Sequence, residues 1–244
     1  METSYQAFSN IELDLLEQLS QAVSHTTYAT LFIIEHRTHS FYVVKGHPLL
    51  LCGHTEEEVR EMGLSFFVEH IMPEDRQILE TFKQAMHNYM CAVSKEERRK
   101  GCYIFSCFFH LLVGGKAKLP VQCEMIPMAF DDNGDYRLVY CKLSLAPKNA
   151  QKEDGLSVKN TMSNKVWTYS MVRQRWEEQA SVQLSKLEHS ILMLASLGHT
   201  VEEIADATHK SLSVIKHSKQ RLFDKLCVKN ITEAICIVLT HHLL

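Results

Sequence analysis

Apolar residues recur at helical or alternating spacing along the first 145 residues, and each spacing predicts an element. One apolar row at helical spacing comprises Ile11, Leu15, Leu19, Ala22 and Val23. It predicts an amphipathic helix over residues 10–24. Residues 29–34 and 41–45 are rich in β-branched and aromatic side chains and predict two strands. Three longer runs of the same kind, residues 103–113, 119–130 and 136–145, predict a meander.

Turn and cap signals separate these runs. Thr55 and Glu58 have the spacing of a capping box, in which each side chain accepts from the other residue's amide. The segment Met72-Pro73-Glu74-Asp75 predicts a second helix start that continues to about His87. Gly114-Gly115 and Asp132-Asn133-Gly134 suit tight turns between strands. The predicted order is therefore strand, strand, helices and a three-stranded antiparallel meander.

Residues 148–183 have no sustained period over their first part, which is polar. After it, one face of a connecting helix can be drawn through Val166, Trp167, Met171, Val172 and Trp176. We interpret this segment as a linker with a connecting helix. That helix would pack on a neighbouring domain or complete the core of its own domain.

Residues 184–242 are helical in pattern throughout. Ser185 with Glu188 and Thr200 with Glu203 fit the capping box, and Gly198 is placed to end the first helix. A short helix over about 201–207, a connection ending near Ser211 and a longer helix to about residue 226 follow. This is the arrangement of a helix-turn-helix, whose second helix can enter the major groove of DNA. A last helix is predicted over about 231–241.

The longer helix separates apolar from polar side chains. Ile215, Leu222 and Leu226 converge on one face. The opposite face presents Ser213, Lys216, His217, Gln220 and Arg221. Between residues 208 and 229 six basic side chains accompany one acidic side chain, a net charge of +5. Cations can meet phosphates or guanine edges, and a glutamine amide can bind adenine bidentately.

Composition narrows the class of protein. The chain has 244 residues, 45% of them apolar and 23% charged, with a formal net charge of −3, as in globular proteins rather than disordered or fibrous ones. A net charge this close to zero excludes a protein that is coated in basic residues for bulk nucleic-acid binding. The longest apolar run, residues 104–113, is far below the roughly 20 residues of a membrane span. We find no secretory signal, and we expect a cytoplasmic protein with reduced thiols and no membrane association.

Candidate catalytic and metal chemistry is absent from the sequence pattern. No two of the eight cysteines are two residues apart, as a zinc knuckle would require. We find no P-loop, dinucleotide fingerprint, nucleophile elbow or spaced metal-ligand set. We therefore expect neither an enzyme nor a metal site.

The C-terminal stretch resembles the LuxR-type, or GerE-type, DNA-binding domain of bacterial transcription regulators. The matching residues are Leu184-Ser185, Glu188, Ile191-Leu192, Gly198, Glu203-Ile204-Ala205, Ser211, Ile215-Lys216, Leu222, Lys225-Leu226, Val228 and Glu233-Ala234. The resemblance implies an all-α four-helix domain whose third helix contacts DNA and whose fourth often forms a dimer contact. It implies base contacts by Lys216, His217 and Gln220, with Lys225 nearer the backbone.

The expected site has two parts. The DNA-binding residues are Ser213, Lys216, His217, Gln220, Arg221 and Lys225. The residues that shape the helix-turn-helix are Glu188, Gly198, Thr200, Glu203, Ile204, Ala205, Ser211, Ile215, Leu222 and Leu226.

The chain departs from the LuxR pattern at four positions. Leu187 and Ile231 replace usual arginines, Val214 replaces a usual threonine, and Ser218 replaces a usual histidine. These changes remove polar interactions within the domain or to phosphate.

The order of elements over residues 26–146 resembles a PAS domain, an α+β fold with a five-stranded antiparallel sheet and helices across one face. Local support comes from Gly53 followed by Thr55-x-Glu57-Glu58, from the Pro73-Glu74-Asp75 start and from the Asp132-Asn133-Gly134 hairpin. Such domains bind a small ligand or cofactor, or dimerise. We identify no cofactor: the cysteine motif of flavin photosensors is missing. Three histidines could each be considered as a haem ligand: His70, His87 and His110. A histidine near apolar sequence, however, more often has a structural role.

We therefore predict four segments: a helix at 1–25, a PAS-like sensor domain at 26–147, the linker at 148–183 and the DNA-binding domain at 184–244. The predicted function is a transcription regulator that binds a double-stranded operator as a homodimer. A small-molecule effector and RNA polymerase are candidate further partners. Two alternatives are a sigma-factor region-four-like module and an interaction adaptor whose helix-turn-helix no longer binds DNA.

Overall fold

The computed structural model describes residues 10–100, 103–115, 117–131, 135–146, 155–179 and 183–240. It divides the chain into two compact units, Met1–Gln179 and Ala180–Leu244. None of the helices within these described ranges is both long and apolar enough to cross a membrane.

The first unit combines helices with one antiparallel sheet. Its helices are α1 (Asn10–Thr26), α2 (Glu56–Met62), α3 (Ser65–His70), α4 (Arg76–Ala92) and α5 (Lys95–Arg99). Its first five strands are β1 (Ala29–Glu35), β2 (Phe41–Lys45), β3 (Tyr103–Val113), β4 (Ala117–Phe130) and β5 (Tyr136–Leu145). Three more strands follow: β6 (Leu156–Asn160), β7 (Lys165–Ser170) and β8 (Arg175–Glu178).

The local signals that start and join these elements match the prediction. Thr55 and Glu58 form the reciprocal capping box at the start of α2. Pro73 begins a single 3₁₀ turn that leads directly into α4. Gly114 and Gly115 have φ of 56° and 69°, values that glycine adopts without a Cβ clash. The predicted Asp132-Asn133-Gly134 hairpin lies outside the described residues.

The sheet has the order β2-β1-β5-β4-β3-β6-β7-β8. Its first five strands, with α2–α5 inserted between β2 and β3, confirm the predicted PAS-like order. The prediction of a five-stranded sheet is wrong, however, because three further strands extend it beyond β3. The unit is therefore a PAS-like α+β domain with an enlarged sheet.

The added strands also correct the connecting helix predicted within residues 148–183. Val166, Trp167 and Trp176 lie in β7 and β8, and Met171 and Val172 lie in the turn between them. Side chains that suit a helical face also suit a hairpin in which each strand has one buried face. In the structure these residues form the hairpin, and its aromatic side chains contact the rest of the unit. The Trp176 indole, for example, donates to the Ala85 carbonyl of α4 at 3.3 Å.

The core of this unit lies between the sheet and helices α2–α4. Its largest fully buried side chains include Phe32 on β1, Phe66 and Phe67 on α3, Phe82 on α4 and Phe105 on β3. Burial of several aromatic side chains, each of them removing a large apolar area from water, is a main source of stability for a domain of this size.

Helix α1 covers part of the opposite face of the sheet. Leu16 packs against a small buried cluster of Ile33, Val43 and Leu138. The Glu17 carboxylate lies 3.2 Å from both Lys45 Nζ and Arg60 Nη2. These contacts fix which side of α1 faces the sheet, and the apolar row that contains Leu15 and Leu19 faces solvent instead.

Candidate nucleic-acid interface

The second unit contains four helices around a core of its own. They are α6 (Lys186–Ser196), α7 (Val201–Thr208), α8 (Leu212–Leu226) and α9 (Ile231–Thr240). The buried core residues are Ile191, Leu192, Ile204, Ala205, Ile215, Leu222, Leu226, Ala234 and Val238. Each of the four helices therefore contributes to one apolar cluster, which holds α8 in a defined orientation.

The start of α7 is fixed by local hydrogen bonds. Thr200 Oγ1 accepts from the Glu203 amide at 3.3 Å, and the Glu203 carboxylate accepts from the Thr200 amide at 2.7 Å. Ser185 and Glu188 make the same reciprocal pair at the start of α6. Between these helices Gly198 has φ of 90°. The amides of Gly198 and His199 donate to the carbonyls of Ala195 and Leu194, a Schellman motif.

The connection between α7 and α8 is short and tightly bonded. His209 takes the left-handed conformation with φ of 53°. The amides of His209 and Lys210 donate to Asp206 and Ala205, which forms a second Schellman motif. Ser211 then caps α8 by accepting from the Val214 amide at 3.4 Å. The two helices of the predicted helix-turn-helix are thus joined by a defined turn.

Helix α8 presents a polar face opposite its buried residues. Ile215 and Leu222 are fully buried, whereas the exposed side chains on the opposite side include Ser213, Lys216, His217, Gln220 and Arg221. These five exposed residues, which we name the α8 face, are five of the six predicted DNA-binding residues. The α8 face contains two permanent cations and three further hydrogen-bonding side chains, the combination that contacts phosphates and base edges.

One contact on this surface orients a side chain that the sequence predicts to contact bases. Gln220 Nε2 donates to Asp224 Oδ1 at 2.9 Å. Because the amide nitrogen faces Asp224, the amide oxygen and the second N–H of Gln220 are directed elsewhere. Asp224 also places a negative charge one helical turn beyond Gln220.

Lys225, the sixth predicted DNA contact, is engaged inside the unit. Its Nζ donates to Glu188 Oε2 at 2.7 Å and to the Gln183 carbonyl at 3.2 Å. Glu188 is 2% exposed. Its burial by itself raises the pKa of Glu188, but the hydrogen bonds from Lys225 and from the Ser185 amide outweigh burial and hold that pKa below its usual value of 4.5. Lys225 therefore joins α8 to α6.

Two of the departures from the LuxR pattern have a visible structural role. Leu187 and Ile231, which replace arginines, are partly buried against the apolar cluster of this unit. The other two lie on α8: Val214 is 41% exposed, and Ser218 is half-buried. The first pair extends the core, whereas the second pair changes the chemistry of the helix that the sequence predicts to contact DNA.

Sequence reasoning missed the left-handed residues at helix ends. His209 and Cys227 both have φ near 52° and end α7 and α8. Glycine is the usual signal for this conformation, and neither position has one. Sequence reasoning also missed Glu188, the partner of Lys225 on α6, because a contact between residues 37 positions apart has no local signature.

Histidines that the sequence offered as haem ligands have protein partners. His70 Nδ1 lies 2.9 Å from the Phe66 carbonyl, His110 Nδ1 lies 2.8 Å from Asp75 Oδ2, and His87 Nε2 lies 3.5 Å from Cys91 Sγ. Among the residues that the structure describes, no group of three or more His, Cys, Asp or Glu side chains is arranged to hold a metal ion.

The geometry of α7 and α8 defines a helix-turn-helix, and comparison with known families identifies its type. Residues 182–238 match the family described as "Bacterial regulatory proteins, luxR family", also named GerE. Residues 182–238 therefore form a LuxR-family helix-turn-helix domain. No curated protein sequence matches the chain significantly.

Solved structures with PAS and LuxR-type descriptions are similar to this chain at low identity. A PAS domain from Colwellia psychrerythraea is 13% identical, with 56% of this chain and 100% of that chain covered and a TM-score of 0.40. The VqmA dimer of Vibrio cholerae, described as a LuxR-type receptor in the absence of target DNA, is 13% identical, with 96% and 88% covered and a TM-score of 0.32. The N-terminal domain of a diguanylate cyclase with PAS/PAC sensor from Marinobacter aquaeolei is 15% identical, with 48% and 94% covered and a TM-score of 0.37.

Proposed function

We propose that this protein is a sequence-specific, DNA-binding transcription regulator in which the PAS-like unit senses a ligand or partner and controls the helix-turn-helix unit. The observation that supports this best is the α8 face, which lies on the LuxR-family domain. Its exposed cations would meet phosphates, and His217 and Gln220 would meet base edges in the major groove.

The proposed division of labour assigns input to the first unit and output to the second. A signal in the PAS-like unit would change DNA affinity through a coupling free energy, typically about 1–3 kcal/mol. The operator would be bound by two copies, because two half-sites multiply a modest single-domain affinity. We expect the protein to act in the cytoplasm, where its free thiols stay reduced.

The first experiment measures the DNA contacts of the α8 face. Duplexes selected from a random library by the wild-type chain serve as probes in a fluorescence anisotropy titration. Lys216→Ala and Gln220→Ala should each weaken binding about tenfold, since a good base contact contributes about 1–3 kcal/mol. Lys186→Ala removes the same charge from an exposed position on α6 and should leave affinity nearly unchanged.

Helical content by circular dichroism should be equal in all variants. If Lys216→Ala and Gln220→Ala bind like the wild type, α8 is not the recognition helix. If the wild type selects no duplex and shows no salt-dependent binding, the adaptor without DNA binding is favoured. The adaptor alternative is motivated by Val214, because this exposed apolar side chain on α8 cannot donate a hydrogen bond to phosphate.

A further inference from the structure

Two histidine side chains meet beside helices α2 and α3 of the first unit. His54 directly precedes the N-cap of α2, and His70 is the last residue of α3. Their Nε2 atoms are 3.2 Å apart, and the His54 side chain is 34% exposed, so solvent reaches the pair. Because the two residues are 16 positions apart, the search for closely spaced ligands in the sequence did not find them.

Each ring also has a contact at its other nitrogen. His70 Nδ1 lies 2.9 Å from the Phe66 carbonyl, which can only accept, so this nitrogen carries a hydrogen. The His70 ring stacks on the fully buried Phe66 ring, with centroids 4.9 Å apart. His54 Nδ1 faces Glu58 Oε2 at 3.6 Å, and the Thr55 amide donates to that oxygen at 2.8 Å. Both Nδ1 atoms therefore face acceptors.

The two rings have one hydrogen too few for all of these contacts. A neutral imidazole carries a hydrogen on one nitrogen and a lone pair on the other. If both hydrogens lie on Nδ1, toward the Phe66 carbonyl and the Glu58 carboxylate, the two Nε2 lone pairs face each other. Two lone pairs at 3.2 Å repel, and a cation shared between them turns the repulsion into attraction.

The spacing of the two rings fits a shared metal ion. Two imidazole nitrogens on one tetrahedral zinc are about 3.3 Å apart, and their ring centroids are about 5.2 Å apart. In this unit the corresponding distances between His54 and His70 are 3.2 Å and 5.0 Å. A straight N–H···N bond along both ring axes would place the centroids about 5.5 Å apart. The rings are thus bent as two ligands of one ion would be.

We propose that His54 and His70 form a binding site for a divalent transition metal ion, with Zn²⁺ as the candidate and the two Nε2 atoms as protein ligands. Imidazole suits Zn²⁺, Cu²⁺ and Ni²⁺, whereas Mg²⁺ and Ca²⁺ take oxygen ligands. An acceptor behind Nδ1, such as a carbonyl or a carboxylate, is the usual support of a ligating histidine. The Phe66 carbonyl and Glu58 occupy these two positions.

The site is open to solvent. Within the described part of the chain, no third His, Cys, Asp or Glu side chain joins the pair as a ligand. Water would therefore complete the coordination, and a small molecule with a donor atom could replace it. A bound ion would connect the residue before α2 to the end of α3, two helices that cover the sheet.

The test is the binding of Zn²⁺ alone to the metal-free, untagged full chain, by isothermal titration calorimetry at neutral pH. His54→Gln and His70→Gln should each remove one bound ion per chain, because glutamine can hydrogen-bond but is a poor zinc ligand. The matched control is His25→Gln, which removes an exposed histidine that contacts Gln21 on α1. It should bind Zn²⁺ like the wild type, and Mg²⁺ should not compete in any of these chains.

Hydrogen exchange provides a second measurement that does not depend on counting ions, which matters in a chain with 14 histidines. Zn²⁺ should slow exchange in α2 and α3 of the wild type and leave α4 unchanged. In His54→Gln and His70→Gln, Zn²⁺ should have no effect on α2 and α3. Circular dichroism should show equal helical content in all of these chains before Zn²⁺ is added.

Two outcomes would overturn the proposal. One is equal Zn²⁺ binding by the wild type, His54→Gln and His70→Gln, as expected if a hydrogen shared between the two Nε2 atoms holds the rings together. The other is a loss of the ion in only one of these two variants, which would place the ion at a different group. Neither outcome affects the proposed function, because duplex binding by the α8 face is measured without added metal.

Discussion

Glu188 combines two structural roles in a single buried side chain. It completes the capping box of α6 and accepts a hydrogen bond from Lys225 of α8. Removal of one partner from a fully buried ion pair costs about 3–5 kcal/mol. We expect less here, about 2 kcal/mol, because a third of the Lys225 side chain is exposed and solvent screens it.

Glu188→Gln should therefore weaken hydrogen-exchange protection of α6 and α8 in the full chain at pH 7. Because the folded pKa of Glu188 is lowered, its contribution is complete above its usual value of 4.5 and is lost as the pH falls through the folded pKa. The difference between variant and wild type should thus shrink below about pH 4.5.

The matched control is Glu203→Gln, which changes the same capping position of α7. Glu203 is exposed, and among the described residues its ion-pair partner is His199, at 3.7 Å, rather than a lysine. Its substitution should cost clearly less than Glu188→Gln. Equal losses of protection in the two variants would show that the cap, rather than the pair with Lys225, accounts for the effect.

At the residue scale, the sequence predicted what local chemistry determines. The capping boxes at Thr55, Ser185 and Thr200 follow from residue types three positions apart, and all three are present. The left-handed His209 and Cys227 were missed because the backbone hydrogen bonds that close α7 and α8 are made there without the glycine that usually signals this conformation.

At the scale of elements, Trp176 secures the added hairpin to the rest of the first unit. Its indole lies within 5.5 Å of Tyr89, 5.2 Å of Tyr169 and 6.1 Å of Phe105, measured between ring centroids. It also donates to the Ala85 carbonyl of α4. Strands β7 and β8 lie beyond β6 at the end of the sheet, and Trp167 of β7 adds a second contact to Tyr89, at 5.9 Å between ring centroids.

Trp176→Ala should loosen β7 and β8 selectively, with a loss of about 3 kcal/mol because a large aromatic side chain is removed. Hydrogen exchange should speed up in β7 and β8 and stay slow in β1 and β5. Trp176→Phe keeps the ring contacts and loses only the hydrogen bond, so it should cost about 1 kcal/mol. Uniform loosening of the whole sheet would contradict a local role for Trp176.

The elements divide into those that periodicity identifies and those that it does not. Strands β1 to β5 and helices α6 to α9 begin and end close to the predicted positions, because their apolar spacing is unambiguous over long runs. Strands β6 to β8 are four to six residues long. Five apolar residues spread over residues 166–176 fit a helix and a hairpin equally well, and only the pairing of β7 with β6 and β8 decides.

The exposed apolar side chains of helix α1, among them Leu15 and Leu19, show another limit of periodicity. The pattern predicted the helix and its apolar row, but periodicity does not determine which surface such a row contacts. In this chain the sheet contacts a neighbouring face of α1, which includes Leu16 and Glu17.

At the scale of the molecule, the net charge of −3 conceals an uneven distribution. Residues 181–244 contain seven basic and six acidic side chains, so the acidic excess belongs to residues 1–180. If the local field at α8 governs DNA binding, the position of a charge must matter more than the total.

Two substitutions that change the net charge equally test this expectation. Asp224→Asn should tighten duplex binding about threefold, because a repulsive charge next to the α8 face is worth up to about 1 kcal/mol in water. Glu61→Gln removes one charge from an exposed position on α2 and should change the affinity little. Equal gains in an anisotropy titration would mean that net charge, rather than the α8 face, controls binding.

The pairing of β3 has a consequence for solubility. In a five-stranded sheet this apolar strand would be an unprotected edge. Here β6 pairs with Tyr103–Ser106. Farther along, the Met72 amide donates to the His110 carbonyl and Asp75 accepts from the His110 amide. On this side of the sheet the edge strand is β8 instead, whose four residues include Arg175, Glu177 and Glu178. A short, charged edge is a poor template for another strand, so the hairpin that enlarges the sheet also guards it against aggregation.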